Sequence, residues 1–204
     1  MSREIPLYTL AGMTDAKVTT HPFETEDKLD LSMLRFKIAA SNDVVMIIHG
    51  LTTSSDMFIM PEHENLVQWL HRQGMTDVFT LDFRMSNRHS YNLSQHRYSM
   101  DDAALFDHPA AVHKIREIAG EDVRIHVICH CLGSMSFVMS LFARQLDVTS
   151  VISKSVALTP RRLRPIHGSR SEREVHVSLY QTAFSAAFHG TKAKVPRVPC
   201  ATAR

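Results

Sequence analysis

The pentapeptide Cys129-His130-Cys131-Leu132-Gly133 holds the residues of this chain best suited to covalent chemistry. A nucleophile with small side chains two positions before and two after it is the pattern of a nucleophile elbow, a sharp strand-to-helix turn. The reason is steric: the central residue takes a strained backbone, and only small flanking side chains let strand and helix close on each other. Gly133 meets the downstream requirement, and Cys129, small though not glycine, approximately meets the upstream one. Cys131 is then expected to be the nucleophile, at a helix N-terminus whose partial positive charge favours thiolate. The plainer reading, a buried small hydrophobe, is common for free cysteine. The apolar strand before the turn and the apolar helix after it favour the elbow. In an elbow of this kind the oxyanion hole needs two backbone N–H donors: one from Leu132, the other from Leu51 or Thr52 in the earlier loop that follows His49-Gly50.

A thiol also needs a base, and the base an orienting carboxylate. His130 is adjacent to Cys131, and consecutive residues at an elbow point apart, so it is not expected to serve. A metal site from His126, Cys129, His130 and Cys131 would crowd four ligands into one strand end, without the separated pairs of zinc spacings. Where the nucleophile comes first, acid and histidine follow it in the chain. Beyond Pro160 there is no Asp, only Glu172 and Glu174, with His167, His176 and His189. None has a convincing apolar setting, so the sequence assigns neither base nor acid.

The elements that must position these residues alternate. Residues 33–39 alternate apolar and polar as a half-buried strand does. Val44 to Ile48 and Asp77 to Phe83 read as strands covered on both faces, with Leu66, Val67, Trp69 and Leu70 at helical spacing between them and Trp69 expected in the core. Asp101 and Asp102 open a helix that runs to Gly120, with Pro109 as a site of kinking. Val123 to Ile128 is a strand, Ser134 to Leu146 an apolar helix, and Val148 to Leu158 a β-branched stretch. This order predicts a parallel sheet with helices on both faces, and ligands gather at the carboxyl ends of such strands. Asp82-Phe83-Arg84 after the second buried strand is expected to brace the structure. Met57, Phe58, Ile59 and Met60 fit packing better than a lipid pocket.

The chain resembles the α/β-hydrolase superfamily over roughly residues 20 to 160. More narrowly, it resembles the hydrolase-like domain of bacterial cholesterol oxidase (glucose-methanol-choline oxidoreductase) fusion proteins. The resemblance is carried by Ile48-His49-Gly50-Leu51-Thr52-Thr53-Ser54, Asp56-Met57-Phe58-Ile59-Met60-Pro61-Glu62-His63, Tyr91-Asn92-Leu93-Ser94, His96-Arg97-Tyr98 and His130-Cys131-Leu132-Gly133-Ser134. It implies an α/β-hydrolase-like parallel sheet flanked by helices and an ester or thioester hydrolase or acyltransferase with cysteine in place of the commoner serine. It also implies lipid- or sterol-related substrates and an association with an oxidoreductase domain. The alternative it leaves open is a non-catalytic accessory domain of a sterol oxidase type protein.

Composition adds a division. The chain has 204 residues and a net charge of +2. Residues 1–160 carry 14 Lys and Arg against 19 Asp and Glu, whereas residues 161–204 carry 9 against 2. The resemblance stops near Thr159-Pro160. Residues 1–160 are therefore expected to be a partial hydrolase domain, the N-terminal portion only. Residues 161–204 are expected to be an irregular basic tail unrelated to it, as an out-of-frame translation would give. An uninterrupted domain of this kind more often needs roughly 200 to 250 residues. The tail lacks aromatic interleaving, so no nucleic-acid partner is expected. The absence of a Gly-x-Gly-x-x-Gly fingerprint speaks against a flavin, and no cofactor is expected. No apolar run is long enough for a membrane span or a signal peptide, which points to a cytoplasmic protein.

Overall fold

The computed structural model describes residues 10–89 and 98–156. Expectations placed on Tyr91 to Arg97, and on residues 157–204 with their glutamates and histidines, lie outside the described residues.

A six-stranded sheet runs in the order β1-β2-β4-β3-β5-β6. Its strands are β1 (Lys17–Glu24), β2 (Asp30–Lys37), β3 (Asp43–Ile48), β4 (Asp77–Asp82), β5 (Arg124–His130) and β6 (Ser150–Lys154). The last four in sheet order are parallel, as expected. The sheet as a whole is mixed, because β1 and β2 form an antiparallel hairpin and β2 pairs antiparallel with β4. That hairpin extends the expected parallel sheet at one edge. Its outer strand, β1, carries Pro22, which cannot donate to a ladder and is tolerated at an edge.

Period-2 alternation explains how β3 serves two cores at once. Val44, Met46 and Ile48 pack on one face with Phe79, Leu81, Val127 and Cys129. Val45 and Ile47 pack on the other with Val78, Val67 and Leu70. The second face is covered by α1 (Leu66–Arg72), whose start is fixed by a capping box between Asn65 and Gln68. Only Val67 and Leu70 of α1 are buried. Trp69, two positions after Val67 and so on the outer side of the helix, is 48% exposed rather than in the core.

The first face is covered by α2 (His108–Ala119) and α3 (Leu132–Phe142). Ser99 caps a short turn, Met100–Asp102, that passes through a π-helical segment, Ala103–Asp107, before α2 begins. Pro109 sits in the first turn of α2. Lacking an N–H for the carbonyl of Leu105, it accounts for the irregular turn before it. The α3 helix starts two residues earlier than its apolar pattern suggests, directly after Cys131. No helix among the described residues is long and apolar enough to cross a membrane.

Candidate active site

The carboxyl end of β5 turns into α3 at a single residue. Cys131 has φ 54° and ψ −121°, in the left-handed region that non-glycine side chains rarely adopt. Such a residue costs about 1–3 kcal/mol and persists only where its surroundings over-determine it. Here they do. The Cys131 N–H donates to the carbonyl of Lys154 at the end of β6 (2.9 Å), and the Ser134 hydroxyl donates to the same oxygen (3.1 Å). The Cys131 carbonyl accepts the N–H of Met135. Cys131 is partly exposed, while Cys129 is buried, its thiol pushed up by desolvation and directed at the Ile152 carbonyl at 3.6 Å.

Two close approaches bring the flanking elements together. A Cβ on Gly133 would collide with the carbonyl oxygen of His49 and lie 2.8 Å from Ile48 Cγ2. A Cβ on Gly50 would lie 2.9 Å from Cys131 Cβ and 3.6 Å from its Sγ. The loop after β3 therefore runs against the thiol. Leu51 and Thr52 follow with exposed side chains, and Thr52 is itself strained at φ 57°. Leu132, as the first residue of α3, has an N–H with no acceptor in its own helix.

Asp82, at the carboxyl end of β4, holds this loop in place. Its Oδ1 accepts the N–H of Ser55 (2.9 Å) and the hydroxyl of Ser86 (2.8 Å). The Ser54 hydroxyl bonds Asp56, and Asp56 pairs with Arg88. The His49 ring lies wholly inside. Its Nδ1 donates to the Gly50 carbonyl at 2.7 Å, Nε2 stands 3.5 Å from Asp82 Oδ1, and burial holds its pKa down. Arg84 makes a bidentate pair with Asp107 and a second pair with Asp27. Burial pushes the Asp107 carboxyl up to about 6 against the pull of Arg84. Asp82 and Arg84 thus brace the fold. Phe58 and Ile59 are likewise packed in the core, whereas Met60 is exposed.

Of the described histidines, His71, His89, His108 and His126 are engaged away from the thiol. His108 Nε2 bonds Ser136 Oγ at 2.8 Å, His89 the Asp82 carbonyl, His71 the Phe36 carbonyl, and His126 both Ser150 and Asp43. The His130 ring borders Gly50, where its Cδ2 would lie 3.5 Å from an added Cβ. Its Nδ1 is buried without a partner. Sequence reasoning missed the clamp from Lys154 and the loop anchor at Asp82. Neither leaves a local motif, because each joins segments distant in the chain.

The sheet and its flanking helices have counterparts among solved structures. An esterase of Pyrococcus furiosus matches with a TM-score of 0.51 and 21% identity, over 68% of this chain and 52% of that protein. The chain has the α/β-hydrolase fold. A peroxisomal alpha-beta-hydrolase of Saccharomyces cerevisiae matches with a TM-score of 0.54 and 15% identity, over 78% of this chain and 50% of that one. This chain spans about half the length of each. No protein-family model matches it, and no curated protein matches it by sequence. Within the hydrolase fold, the Cys131 turn occupies the carboxyl end of the sheet, where loops after β3, β4 and β5 meet.

Proposed function

We propose that this chain is an acyl (ester or thioester) hydrolase or acyltransferase with Cys131 as nucleophile. The backbone N–H groups of Leu132 and of Leu51 or Thr52 are the oxyanion donors. The observation that carries this reading is the strained, partly exposed Cys131 turn, fixed by Lys154 and pressed against Gly50. Strain maintained at a reachable nucleophile, against the preference of its own side chain, is a hallmark of functional positions. In the reaction the thiolate adds to the carbonyl carbon, and the oxyanion receives the two backbone donors. The bond to the leaving alcohol or thiol then breaks, the leaving group takes up a proton, and water or an acceptor alcohol cleaves the acyl-thioester. The resemblance to hydrolase-like domains of cholesterol oxidase fusion proteins supports lipid- or sterol-related acyl substrates and an oxidoreductase partner.

A second reading, a non-catalytic accessory domain of such an assembly, is favoured by the engagement of His71, His89, His108 and His126 elsewhere. Hydrolysis of p-nitrophenyl acetate and of a short-chain thioester by the unaltered chain and by Cys131→Ala separates the two. Thiol catalysis requires the thioester rate to fall on substitution and on alkylation of Cys131 by iodoacetamide at neutral pH. An unreactive thiol with unchanged thioester hydrolysis leaves the accessory domain standing.

A further inference from the structure

At the end of the sheet opposite Cys131, three adjacent parallel strands bring Asp43, His126 and Ser150 side by side. Asp43 opens β3, His126 lies near the start of β5, and Ser150 opens β6, in register with His126. His126 Nδ1 lies 2.8 Å from Ser150 Oγ, and its Nε2 lies 3.0 Å from Asp43 Oδ1. Arg124 binds the same carboxylate through Nε at 2.6 Å and through Nη2. The Arg124 hydrogen bonds hold the Asp43 carboxyl down at about 2, so it is ionised at neutral pH and can only accept. In the neutral imidazole the Nε2 proton is then directed at Asp43, which leaves the Nδ1 lone pair to accept the Ser150 hydroxyl. Acid, imidazole and hydroxyl stand in the order that proton transfer from a serine requires. The His126 and Asp43 side chains keep 27% and 32% of their surface open to solvent.

We propose that Ser150 and His126, positioned by Asp43, form a second esterolytic centre that acts on small activated esters independently of Cys131. Ser150 Oγ adds to the ester carbonyl carbon while its proton passes to His126 Nδ1. The carbon–oxygen bond to the leaving group breaks, and that oxygen takes the proton back from His126. Water, deprotonated by the same nitrogen, then attacks the acyl-serine; the bond to Ser150 Oγ breaks, that oxygen takes the proton back from His126, and the acid is released. A half-exposed centre on a sheet rim suits small, reactive esters that approach from solvent, while the Cys131 turn at the other end serves the larger acyl substrate.

The centre is tested in the unaltered chain first. A fluorophosphonate probe is expected to form an adduct on the peptide containing Ser150, and prior alkylation with iodoacetamide is expected not to prevent it. In the Cys131→Ala background, residual p-nitrophenyl acetate hydrolysis is expected to fall by about tenfold or more in Ser150→Ala and in His126→Gln. Asp43→Asn is expected to lower kcat with KM unchanged. Absence of a Ser150 adduct in the unaltered chain overturns the proposal, and that result needs no variant to fold. A residual rate indifferent to Ser150→Ala overturns it equally. Neither outcome bears on the Cys131 reading, which is decided by thioester turnover and alkylation.

Discussion

Gly133 lies so close beneath His49 that a Cβ at this position would collide with the His49 carbonyl oxygen, with Ile48 Cγ2 only 2.8 Å away on the same side. The obstacle is backbone at the end of β3, a central strand that pairs on both sides and cannot withdraw. Gly133→Ala must therefore displace α3 from the sheet. Its cost is expected to exceed the about 1–3 kcal/mol of ordinary overpacking and to reach about 4 kcal/mol or more. Urea unfolding measures it. A loss under about 1 kcal/mol would mean that strand and helix do not close up as described.

Gly50 makes the matching contact from the other side, but what it meets is a side chain. A methyl group there would press on Cys131 Cβ at 2.9 Å and pass Sγ at 3.6 Å. Gly50→Ala is expected to cost only about 1–3 kcal/mol in stability. Displacing the thiol by a fraction of an ångström should nevertheless lower thioester turnover by up to about a hundredfold. Comparing turnover and melting temperature for Gly50→Ala and Gly133→Ala checks the contrast: stability should fail first in Gly133→Ala, and activity first in Gly50→Ala.

Cys131 offers a test of strain that does not depend on any substrate. Alanine keeps the Cβ and so the penalty of φ 54°, whereas glycine relieves it. Cys131→Gly is expected to be more stable than Cys131→Ala by about 1 kcal/mol, even though glycine normally loses more chain entropy on folding. Urea midpoints of the two variants decide it. The reverse order would remove the argument that this turn holds strain for a purpose.

These relationships explain which parts of the molecule could be read from the chain. The strands β3 and β4 are legible because both of their faces are covered, so their apolar runs are continuous or nearly so. The Cys129, Cys131 and Gly133 spacing is legible because the steric demand of the turn acts within five consecutive residues. The edge strand β1 is not, since its side chains are half exposed and Pro22 interrupts a strand-like pattern. Trp69 misleads for the opposite reason: a large apolar side chain at helical spacing suggests burial, but the face of α1 is fixed by Val67 and Leu70. The cluster of Asp43, His126 and Ser150 leaves no trace in the sequence. His126 is 24 residues from Ser150 and 83 from Asp43, and only the sheet order makes them neighbours.

His108 gives the fold a dependence on pH that can be signed in advance. Its ring is fully buried between Phe83 and Phe137 and hydrogen-bonded to Ser136. Desolvation, helped by the nearby Arg84 charge, holds its pKa down at about 3 against 6.5 for the free side chain. Between those values the unfolded chain binds a proton that the folded chain refuses, so stability is fully present above pH 6.5 and is lost as pH falls toward 3. One such proton corresponds to a slope of about 1.4 kcal/mol per pH unit. Burial lowers His49 and His89 in the same direction, and Asp43, held at about 2, adds its own loss below pH 3.8. His108→Gln keeps a group able to bond Ser136 but cannot take up the proton. Urea unfolding of both chains at pH 7, 6, 5 and 4 should therefore give a slope shallower by about one proton in the variant, and equal slopes would show that His108 is not the group held neutral by the core.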